Sequence, residues 1–277
     1  MKNDISFALL MAIYKNDNAD FLRAALDSVV ANSVQPSQVV VVKDGPVPVQ
    51  LDNVLQSFSS QLPMEIVALP FNQGLGPALN AGLQSCREEW VARFDSDDIC
   101  CPDRFQQQLD YIAGHPETSL LGGQILEFES TPNQVYASRN VPLKFDDICR
   151  FAKKRNPINH MTAMFRKSDV IKAGSYQDDL LYEDYGLWIR MLMNNCVVAN
   201  LSSVLVYARA GNPMFERRGG LTYARNEIGF QYRFYKSGFL NLSQFLTNVI
   251  TRVPVRVLPN GIRAFIYRKF LRSHNRT

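Results

Sequence analysis

Three carboxylates fall within four residues in the segment Asp95-Ser96-Asp97-Asp98. Like charges at this spacing repel one another, so each carboxyl group would be more stable neutral unless a cation lies among them. Hard oxygen ligands suit Mg²⁺ or Mn²⁺, and such an ion could also hold a diphosphate. The alternative interpretation is that Asp97 or Asp98 only caps the turn before Pro102.

Another acidic pair, Glu183-Asp184, stands at the start of a predicted helix over Tyr185–Met193. Asp184 lies four residues before Trp188, so its carboxylate projects along the edge of the apolar stripe of this helix. A partly desolvated carboxylate at such a position can serve as a general base. Alternatively, the acid only favours the helix dipole.

A glycine-rich stretch, Asn72 to Gly82, contains Gly74 and Gly76 at Gly-x-Gly spacing. This spacing lets the backbone come close to a ligand at a helix N-terminus, although a plain turn is the alternative. It is not a dinucleotide fingerprint, which would follow the first strand, and no Gly-Lys-Ser/Thr of a P-loop occurs in the chain.

Two further candidate sites have basic, nitrogen-containing side chains. Arg217 and Arg218 precede two glycines, and this combination suits a phosphate or diphosphate, with a solvated loop as the alternative. His160 is one of three histidines and is a weaker candidate, because a lone histidine is usually structural.

The elements that must position these residues alternate between strand and helix over the first hundred residues. The predicted strands are Phe7–Ala12, Gln38–Val42, Met64–Leu69 and Glu89–Phe94. The predicted helices are one capped by Asp20, Leu51–Leu62, one with Pro77 in its first turn, and one opened by Pro102. This alternation is typical of a doubly wound parallel sheet, whose ligands bind at the carboxyl ends of the strands.

The pattern becomes mixed after about residue 118. Leu120–Phe128 and Gln134–Arg139 resemble strands, and Phe145–Lys154 and Glu183–Met193 resemble helices. From Tyr223 onward the pattern is mostly helical. We therefore predict an α/β fold with a doubly wound mixed sheet and a helical C-terminal extension.

Composition narrows the function classes. The chain has 277 residues, of which 46% are hydrophobic, and a net charge of +4, values that exclude a mainly disordered protein. No stretch approaches the roughly 18–20 apolar residues of a membrane span, and the short N-terminal apolar run lacks a cleavage-like site, so we expect no export. Residues 252–277 carry six Arg, one Lys and no acid, whereas the other residues carry 23 basic and 26 acidic side chains.

The ordered set of motifs resembles glycosyltransferase family 2 across residues 5–210. The motifs are Tyr14, Lys43-Asp44-Gly45, Asn72-x-Gly74 with Ala78-x-Asn80-x-Gly82, Asp95-Ser96-Asp97-Asp98 and Glu183-Asp184-Tyr185 with Trp188. The chain is most similar to bacterial O-antigen, lipopolysaccharide and exopolysaccharide transferases. That similarity lies in Val42–Pro46, in Lys153–Pro157 with His160, and in Glu216–Gly220.

This resemblance implies a GT-A fold, which is Rossmann-like, and an inverting transfer from a nucleotide-diphosphate sugar, commonly linked to UDP. Ala12 and Tyr14 match the loop that holds the nucleoside, and Asp44 matches the acid that binds the base. Asn72 and Gly74 match the donor-binding loop. The family often has Thr in place of Ala12 and Asp in place of Lys43, so the identity of the base stays open.

The resemblance also assigns the acidic residues. Asp95 matches the acid near the ribose and the metal, Asp97 the direct ligand of Mn²⁺ or Mg²⁺ in a DXD motif, and Asp98 could share that task. Asp184 matches the general base that deprotonates an acceptor hydroxyl. We expect His160, Arg217 and Arg218 to contact the diphosphate or the acceptor.

For domain organisation we predict a catalytic domain over 1–215, with a nucleotide-binding half at 1–118 and an acceptor-binding half at 119–215. Residues 216–277 would form a basic helical segment on an anionic cytoplasmic leaflet, which places the enzyme at the inner face of the cell membrane. The acceptor would then be a sugar on a polyprenyl diphosphate. Alternatively, the tail helices pack on the catalytic domain and their arginines only solvate them.

Two other functions compete with this hypothesis. A nucleotidyltransferase that makes sugar nucleotides would need a Gly-rich, basic loop after the first strand, which Tyr14-Lys15-Asn16-Asp17 does not provide. A nucleic-acid-binding protein would need a basic face with aromatic side chains, and outside residues 252–277 the acidic side chains outnumber the basic ones.

Overall fold

A computed structural model describes residues 5–177, 179, 181–210 and 220–258. Its first half contains four parallel strands: β1 (Phe7–Ile13), β2 (Gln38–Lys43), β3 (Met64–Ala68) and β4 (Trp90–Arg93). They lie in the order β3-β2-β1-β4. The helices between them are α1 (Ala19–Val30), α2 (Val49–Phe58) and α3 (Leu75–Ser85). The predicted alternation of strand and helix is confirmed.

Helix starts differ slightly from the predicted positions. The cap of α1 is Asn18 rather than Asp20, because the Asn18 side chain accepts hydrogen bonds from the backbone N–H groups of Asp20 and Phe21. Helix α3 begins after Gly74 and holds Pro77 in its first turn, as expected. A Cβ at Gly82 would lie 2.5 Å from side-chain atoms of Leu10 and Val42, so this glycine lets α3 lie directly on the sheet.

The second half adds antiparallel and crossover strands to the same sheet. Its strands are β5 (Ile99–Cys100), β6 (Thr118–Phe128), β7 (Val135–Arg139), β8 (Met164–Arg166) and β9 (Val197–Arg209). Its helices are α4 (Arg104–Gly114), α5 (Phe145–Ala152), α6 (Lys167–Lys172) and α7 (Glu183–Met193), with a 3₁₀ turn at His160–Thr162. The full order is β3-β2-β1-β4-β8-β6-β9-β5, and β7 pairs with β6.

Three of these strands were not predicted. Strands β5 and β8 are too short to show a period, and β9 carries polar residues at its centre, where its parallel pairing with β6 is irregular. Helix α4 begins at Arg104, two residues after Pro102. The mixed α/β sheet itself is as expected.

The sheet is buried on both faces, which explains the nearly continuous apolar runs of its central strands. Alternate residues of β1 point to opposite sides: Phe7, Leu9 and Met11 pack with α1, α2 and α4, whereas Ala8 and Leu10 pack with α3 and α7. The two helical layers therefore leave the carboxyl ends of the parallel strands as the edge where polar side chains gather.

Among the described residues, the sheet is followed by α8 (Leu221–Lys236) and α9 (Leu242–Val257). An aromatic cluster joins α8 to the start of α7 through Tyr182, Tyr185 and Phe230. The tail helices therefore pack on the rest of the protein within the described range. In the part of the chain that the structure describes, no helix combines the length and the apolar character that a membrane crossing needs.

Candidate active site

The loop that follows β2 holds the loop that precedes α3. Asp44 accepts hydrogen bonds on Oδ1 from the Gln73 N–H (2.7 Å) and on Oδ2 from the Asn72 side chain (2.8 Å) and the Gly74 N–H (3.0 Å). A Cβ at Gly45 would lie 2.6 Å from the Asn72 nitrogen, so only glycine permits this approach. Asp44, Asn72 and Gly74 thus form one unit, and their contact with a nucleotide stays a prediction.

The end of β1 is tied to the acidic segment by Asp17, which was not among the predicted site residues. The Asp17 carboxylate accepts hydrogen bonds from the Tyr14 N–H (3.2 Å) and from the Ser96 hydroxyl (3.0 Å). Ala12 lies in β1 opposite Val42 of β2. The only local signal for Asp17 was an acid three residues after Tyr14, which fits a turn as well as a site.

The acidic residues after β4 have separate partners. Asp95 forms an ion pair with the buried guanidinium of Arg93. Asp98 accepts a hydrogen bond from the Arg209 N–H (2.7 Å), and its other carboxylate oxygen is buried without a hydrogen-bond partner. Asp98 therefore anchors β9 and does not cap the turn before Pro102.

These carboxylates perturb one another. Desolvation, followed by the charges of Asp95 and Asp17, raises the pKa of Asp97 to about 6. Burial, followed by Asp95 and Asp97, raises the pKa of Asp98 well above its usual range. Within the described ranges, no three His, Cys, Asp or Glu side chains are placed to hold a metal ion by themselves. A cation here would therefore need further oxygen ligands from a bound molecule.

Arg209, the last residue of β9, was also missed by sequence reasoning. Its Nε donates to the Asp97 carbonyl (3.0 Å), and its guanidinium lies over the rings of Phe21 (3.8 Å) and Phe128 (4.6 Å). Arg209 thus fixes the backbone at Asp97. An arginine 112 residues along the chain gives no local signal of this contact.

The predicted general base lies in the first turn of α7. Asp184 is half-buried, and its Oδ2 accepts a hydrogen bond from the Asn156 side chain at 2.6 Å. Its Oδ1 accepts from the Tyr185 N–H at 2.7 Å. The hydrogen bond from the Tyr185 N–H fits the alternative in which Asp184 only favours the helix dipole. The hydrogen bond from Asn156 comes from another segment and orients the carboxylate, and a dipole effect does not require such a contact.

His160 lies within electrostatic reach of both acidic sites. Its Nε2 lies 3.2 Å from the Tyr176 hydroxyl. Burial and then the charge of Arg93 lower the pKa of His160 to about 4, against the opposing charges of Asp184 and Asp95. The imidazole is therefore neutral near pH 7 and is electrostatically coupled to both the acidic segment and the candidate base.

The first turn of α3 also lies against the start of α7. A Cβ at Gly76 would lie 3.2 Å from the Glu183 Cγ and 3.5 Å from the Gln177 carbonyl oxygen. The structure therefore brings together Asp44, the Gly74 loop and the helix that carries Asp184. Arg217 and Arg218 lie outside the described residues.

Residues 9–171 match the family model described as "Glycosyl transferase family 2". The chain belongs to glycosyltransferase family 2. It is therefore a glycosyltransferase, and this family membership favours sugar transfer over the nucleotidyltransferase and nucleic-acid alternatives.

Relatives of this family 2 enzyme cover nearly its whole length. A chain from Haemophilus influenzae, named "Uncharacterized glycosyltransferase", is 43% identical, over 97% of this chain and 100% of the relative. The Escherichia coli "UDP-Gal:alpha-D-GlcNAc-diphosphoundecaprenol beta-1,3-galactosyltransferase" is 39% identical, over 96% of both chains. The Erwinia amylovora "Amylovoran biosynthesis glycosyltransferase AmsE" is 38% identical, over 95% of this chain and 98% of the relative.

Solved structures confirm the GT-A fold of the family 2 enzyme. S. aureus TarS 1-349 in complex with UDP-GlcNAc has a TM-score of 0.68 and 17% identity, over 90% of this chain and 73% of that one. The mannosyltransferase PcManGT from Pyrobaculum calidifontis, in complex with GDP-Man and Mn²⁺, has a TM-score of 0.67 and 13% identity, over 96% of this chain and 76% of that one. At these identities the similarity shows the fold alone.

Proposed function

We propose that the enzyme transfers a hexose, with inversion, from a UDP-linked sugar to a sugar hydroxyl of a polyprenyl-diphosphate-linked acceptor. The product would be a growing repeat unit of an O-antigen or exopolysaccharide. The observation that carries the proposal is the hydrogen bond from Asn156 that orients the Asp184 carboxylate. The charges of Asp184 and of Asp95 in the acidic segment after β4 both act on buried His160. A base and a donor-diphosphate site at one sheet edge are what a direct displacement needs.

The substrate classes are supported by the relatives. The Escherichia coli relative is named for UDP-Gal and an undecaprenyl-diphosphate acceptor, and it matches nearly the whole of both chains. The Erwinia amylovora relative is named for amylovoran biosynthesis. UDP-galactose is therefore the first donor to test, with other UDP-hexoses next.

In the proposed reaction the acceptor hydroxyl donates its proton to Asp184 as its oxygen attacks the anomeric carbon of the donor. The bond from that carbon to the diphosphate breaks on the opposite face, and the nucleoside diphosphate leaves with the bonding electrons. An α-linked donor therefore gives a β-linked product. Asn156 would keep the receiving carboxylate in position.

On the donor side, Ala12 and Tyr14 would hold the nucleoside. Asp44 would act on the base either directly or through the loop of Asn72 and Gly74 that its carboxylate builds. Neutral His160 would contact the diphosphate or the acceptor, and we propose the same role for Arg217 and Arg218.

The acidic segment fits a divalent ion. The buried Asp98 oxygen without a partner and the raised pKa of Asp97 indicate a cluster that gains from a positive charge. We propose that Asp97, with Asp95, would hold Mn²⁺ or Mg²⁺ together with the donor diphosphate, and the Mn²⁺ in the Pyrobaculum calidifontis structure supports this choice. When bound, the ion would neutralise charge on the leaving diphosphate.

The first experiment is calorimetric titration with UDP, GDP and dTDP, each with and without Mn²⁺. We expect metal-dependent binding of UDP, lost in Asp97→Ala and retained in Asp103→Ala, whose exposed carboxylate caps no helix. Absence of binding of every nucleotide by folded protein would contradict the donor assignment. Asp184→Asn should keep UDP binding and lose transfer to a lipid-diphosphate acceptor.

The structure alters the predicted membrane contact of the C-terminal segment at two of its arginines. Arg252 and Arg256 form ion pairs with buried Glu227, so they do not face a lipid surface as the sequence pattern suggested. Ile262 and Phe265, which follow α9 in the sequence between further arginines, lie outside the described residues. We propose that the enzyme lies on the inner face of the cell membrane through residues 216–277, while residues 1–215 form the catalytic domain.

The outer face of α9 is the described surface that would meet the lipid. Leu242, Leu246 and Ile250 lie on one side of this helix and are 54%, 46% and 68% exposed. The double variant Leu246→Glu and Ile250→Glu should abolish sedimentation with anionic vesicles. Ile171→Glu, at an exposed apolar residue of α6, should not. Unchanged sedimentation of the double variant would contradict this contact surface.

A further inference from the structure

Glu227 of α8 is a fully buried carboxylate that the proposed reaction does not use. Its two oxygens form ion pairs with Arg252 (2.8 Å) and Arg256 (3.0 Å), both on α9. It also accepts a hydrogen bond from the Tyr182 hydroxyl at 2.5 Å. Burial alone would raise the pKa of Glu227, but Arg252, Arg256 and the hydrogen bonds from Tyr182 and Gln231 together outweigh burial and hold the pKa below its usual range.

Tyr182 is the residue at which α7 begins. Its carbonyl accepts the first hydrogen bond of the helix, from the Gly186 N–H, and its side chain caps no backbone group. Instead its ring packs against Phe230 of α8, with ring centres 4.7 Å apart, and its hydroxyl binds Glu227. The position of the first turn of α7 is therefore set by α8 rather than by a local cap.

Asp184 is only two residues beyond Tyr182. Two residues span at most about 7 Å of chain, so a displacement of Tyr182 carries the Asp184 backbone with it. The opposite face of this turn is limited by Gly76, whose position leaves little space beside Glu183. The start of α7 is thus held between the first turn of α3 and α8.

A second buried carboxylate forms ion pairs near the start of α7. Asp179 lies before α7, has a fully buried side chain, and forms ion pairs with Arg190 of α7 and Arg233 of α8. Burying charges in this way is costly, and apolar residues of similar volume are often at least as stabilising. We therefore interpret the two ion-pair clusters as fixing the position of α7 relative to α8, which an apolar contact would define less sharply.

We propose that Glu227, acting through the Tyr182 hydroxyl, is a positioning residue for the general base Asp184. Through this contact the C-terminal helices α8 and α9 support the catalytic domain without forming part of its site. This inference rests on the proposed role of Asp184. It predicts that the hydroxyl of Tyr182 matters for turnover although it touches no substrate.

The test removes that hydroxyl alone. Tyr182→Phe keeps the ring packing and leaves Glu227 paired with its arginines, so the protein should fold. We expect kcat for transfer to a lipid-diphosphate acceptor to fall at least about tenfold, because small displacements of a catalytic group are costly. The Kd for UDP and the donor KM should change less than twofold, and the ratio of transfer to donor hydrolysis should fall.

Tyr223→Phe is the matched control. Tyr223 is a buried tyrosine of the same aromatic cluster, and its ring lies under Arg256, but Glu227 binds the hydroxyl of Tyr182 and not that of Tyr223. This variant should retain wild-type kcat. Glu227→Gln should reproduce the loss in kcat with unchanged UDP affinity if its circular dichroism spectrum is that of the wild type.

Three results would overturn the inference. One is a Tyr182→Phe enzyme with kcat within twofold of the wild type while Asp184→Asn is inactive. Another is an equal loss of kcat in Tyr182→Phe and Tyr223→Phe, which would indicate general destabilisation. The third is full activity in Asp184→Asn, which would remove the base itself and so refute the proposed mechanism as well.

Discussion

Asn156 donates its side-chain amide to the Asp184 carboxylate across 2.6 Å and so connects the segment after α5 with the first turn of α7. The two residues are 28 positions apart in the chain. The other Asp184 oxygen accepts from the adjacent Tyr185 N–H, so the carboxylate has a defined orientation. An oriented carboxylate is what proton abstraction from a bound hydroxyl requires.

Replacing Asn156 should therefore impair catalysis. Hydrogen bonds to charged groups are worth about 1.5–3 kcal/mol, so Asn156→Ala should lower kcat by roughly ten- to a hundredfold. Steady-state kinetics with a UDP-sugar and a lipid-diphosphate acceptor measure this, with the UDP affinity expected to stay constant. Asn53→Ala, at an exposed position of α2, is the control. Equal kcat in both variants would show that Asp184 does not depend on Asn156.

The two roles open to Asp44 predict different results. If Asp44 builds the donor loop, Asp44→Ala removes three accepted hydrogen bonds and should lower the free energy of unfolding by about 2 kcal/mol or more. Asn72→Ala removes one of these contacts and should cost about 1 kcal/mol. Both variants should bind UDP more weakly. If urea denaturation shows no loss of stability in Asp44→Ala while UDP binding falls, the aspartate serves the nucleotide alone.

Arg209 should be irreplaceable by lysine. Its guanidinium donates to the carbonyl groups of Asp97, Glu129 and Ser130, a fork that an ammonium group cannot reproduce. We expect Arg209→Lys to weaken Mn²⁺-dependent UDP binding about tenfold, because the Asp97 backbone loses its support. Arg166→Lys is the control, since Arg166 binds two carbonyl groups and lies over Trp90 at the start of β4. A similar loss in both variants would contradict a role specific to Arg209.

The local chemistry of the sequence predicted the strand ends and the acids that follow them. The run Val39–Val42 could only be a strand buried on both faces, and the polar residues after it had to lie at the carboxyl edge of a parallel sheet. The contacts that organise the site were not predictable in this way. Ser96 meets Asp17 across 79 residues of chain, and these pairings arise only when the strands are placed side by side.

The C-terminal arginines show the same limit. The sequence predicted a basic helical segment whose arginines would face an anionic lipid surface or solvent. In the structure Arg256 is buried because Glu227, 29 residues earlier on α8, supplies the opposite charge. A periodic pattern indicates which side chains share a face of a helix. It does not indicate whether one of them forms an ion pair with a buried residue of another helix.

The acid sensitivity of the fold should depend on His160. Its pKa is lowered to about 4 in the folded protein, by burial first and then by Arg93, whereas an unfolded histidine has a pKa of about 6.5. Between these values the unfolded chain binds the proton and the folded chain does not. The stabilisation is therefore complete above about pH 6.5 and is lost as the pH falls toward 4. Its size is on the order of 3 kcal/mol, and Tyr176 and Trp188, which pack against the ring, carry no charge that would cancel it.

Urea denaturation at pH 7.5 and pH 5 measures this dependence. Asp97 and Asp98, whose raised pKa values act in the opposite direction, are present in both proteins, so the comparison between them isolates His160. On going to pH 5, the wild type should lose more stability, or gain less, than His160→Gln, which cannot titrate at this position. The control is His115→Gln, because His115 is exposed, stacks on Tyr111 and should not contribute to the difference. An identical pH dependence in the wild type and His160→Gln would show that the imidazole is not held neutral. The imidazole would then titrate near its ordinary pKa of about 6.5, and its proposed contact with the diphosphate would be that of a cation only below that pH.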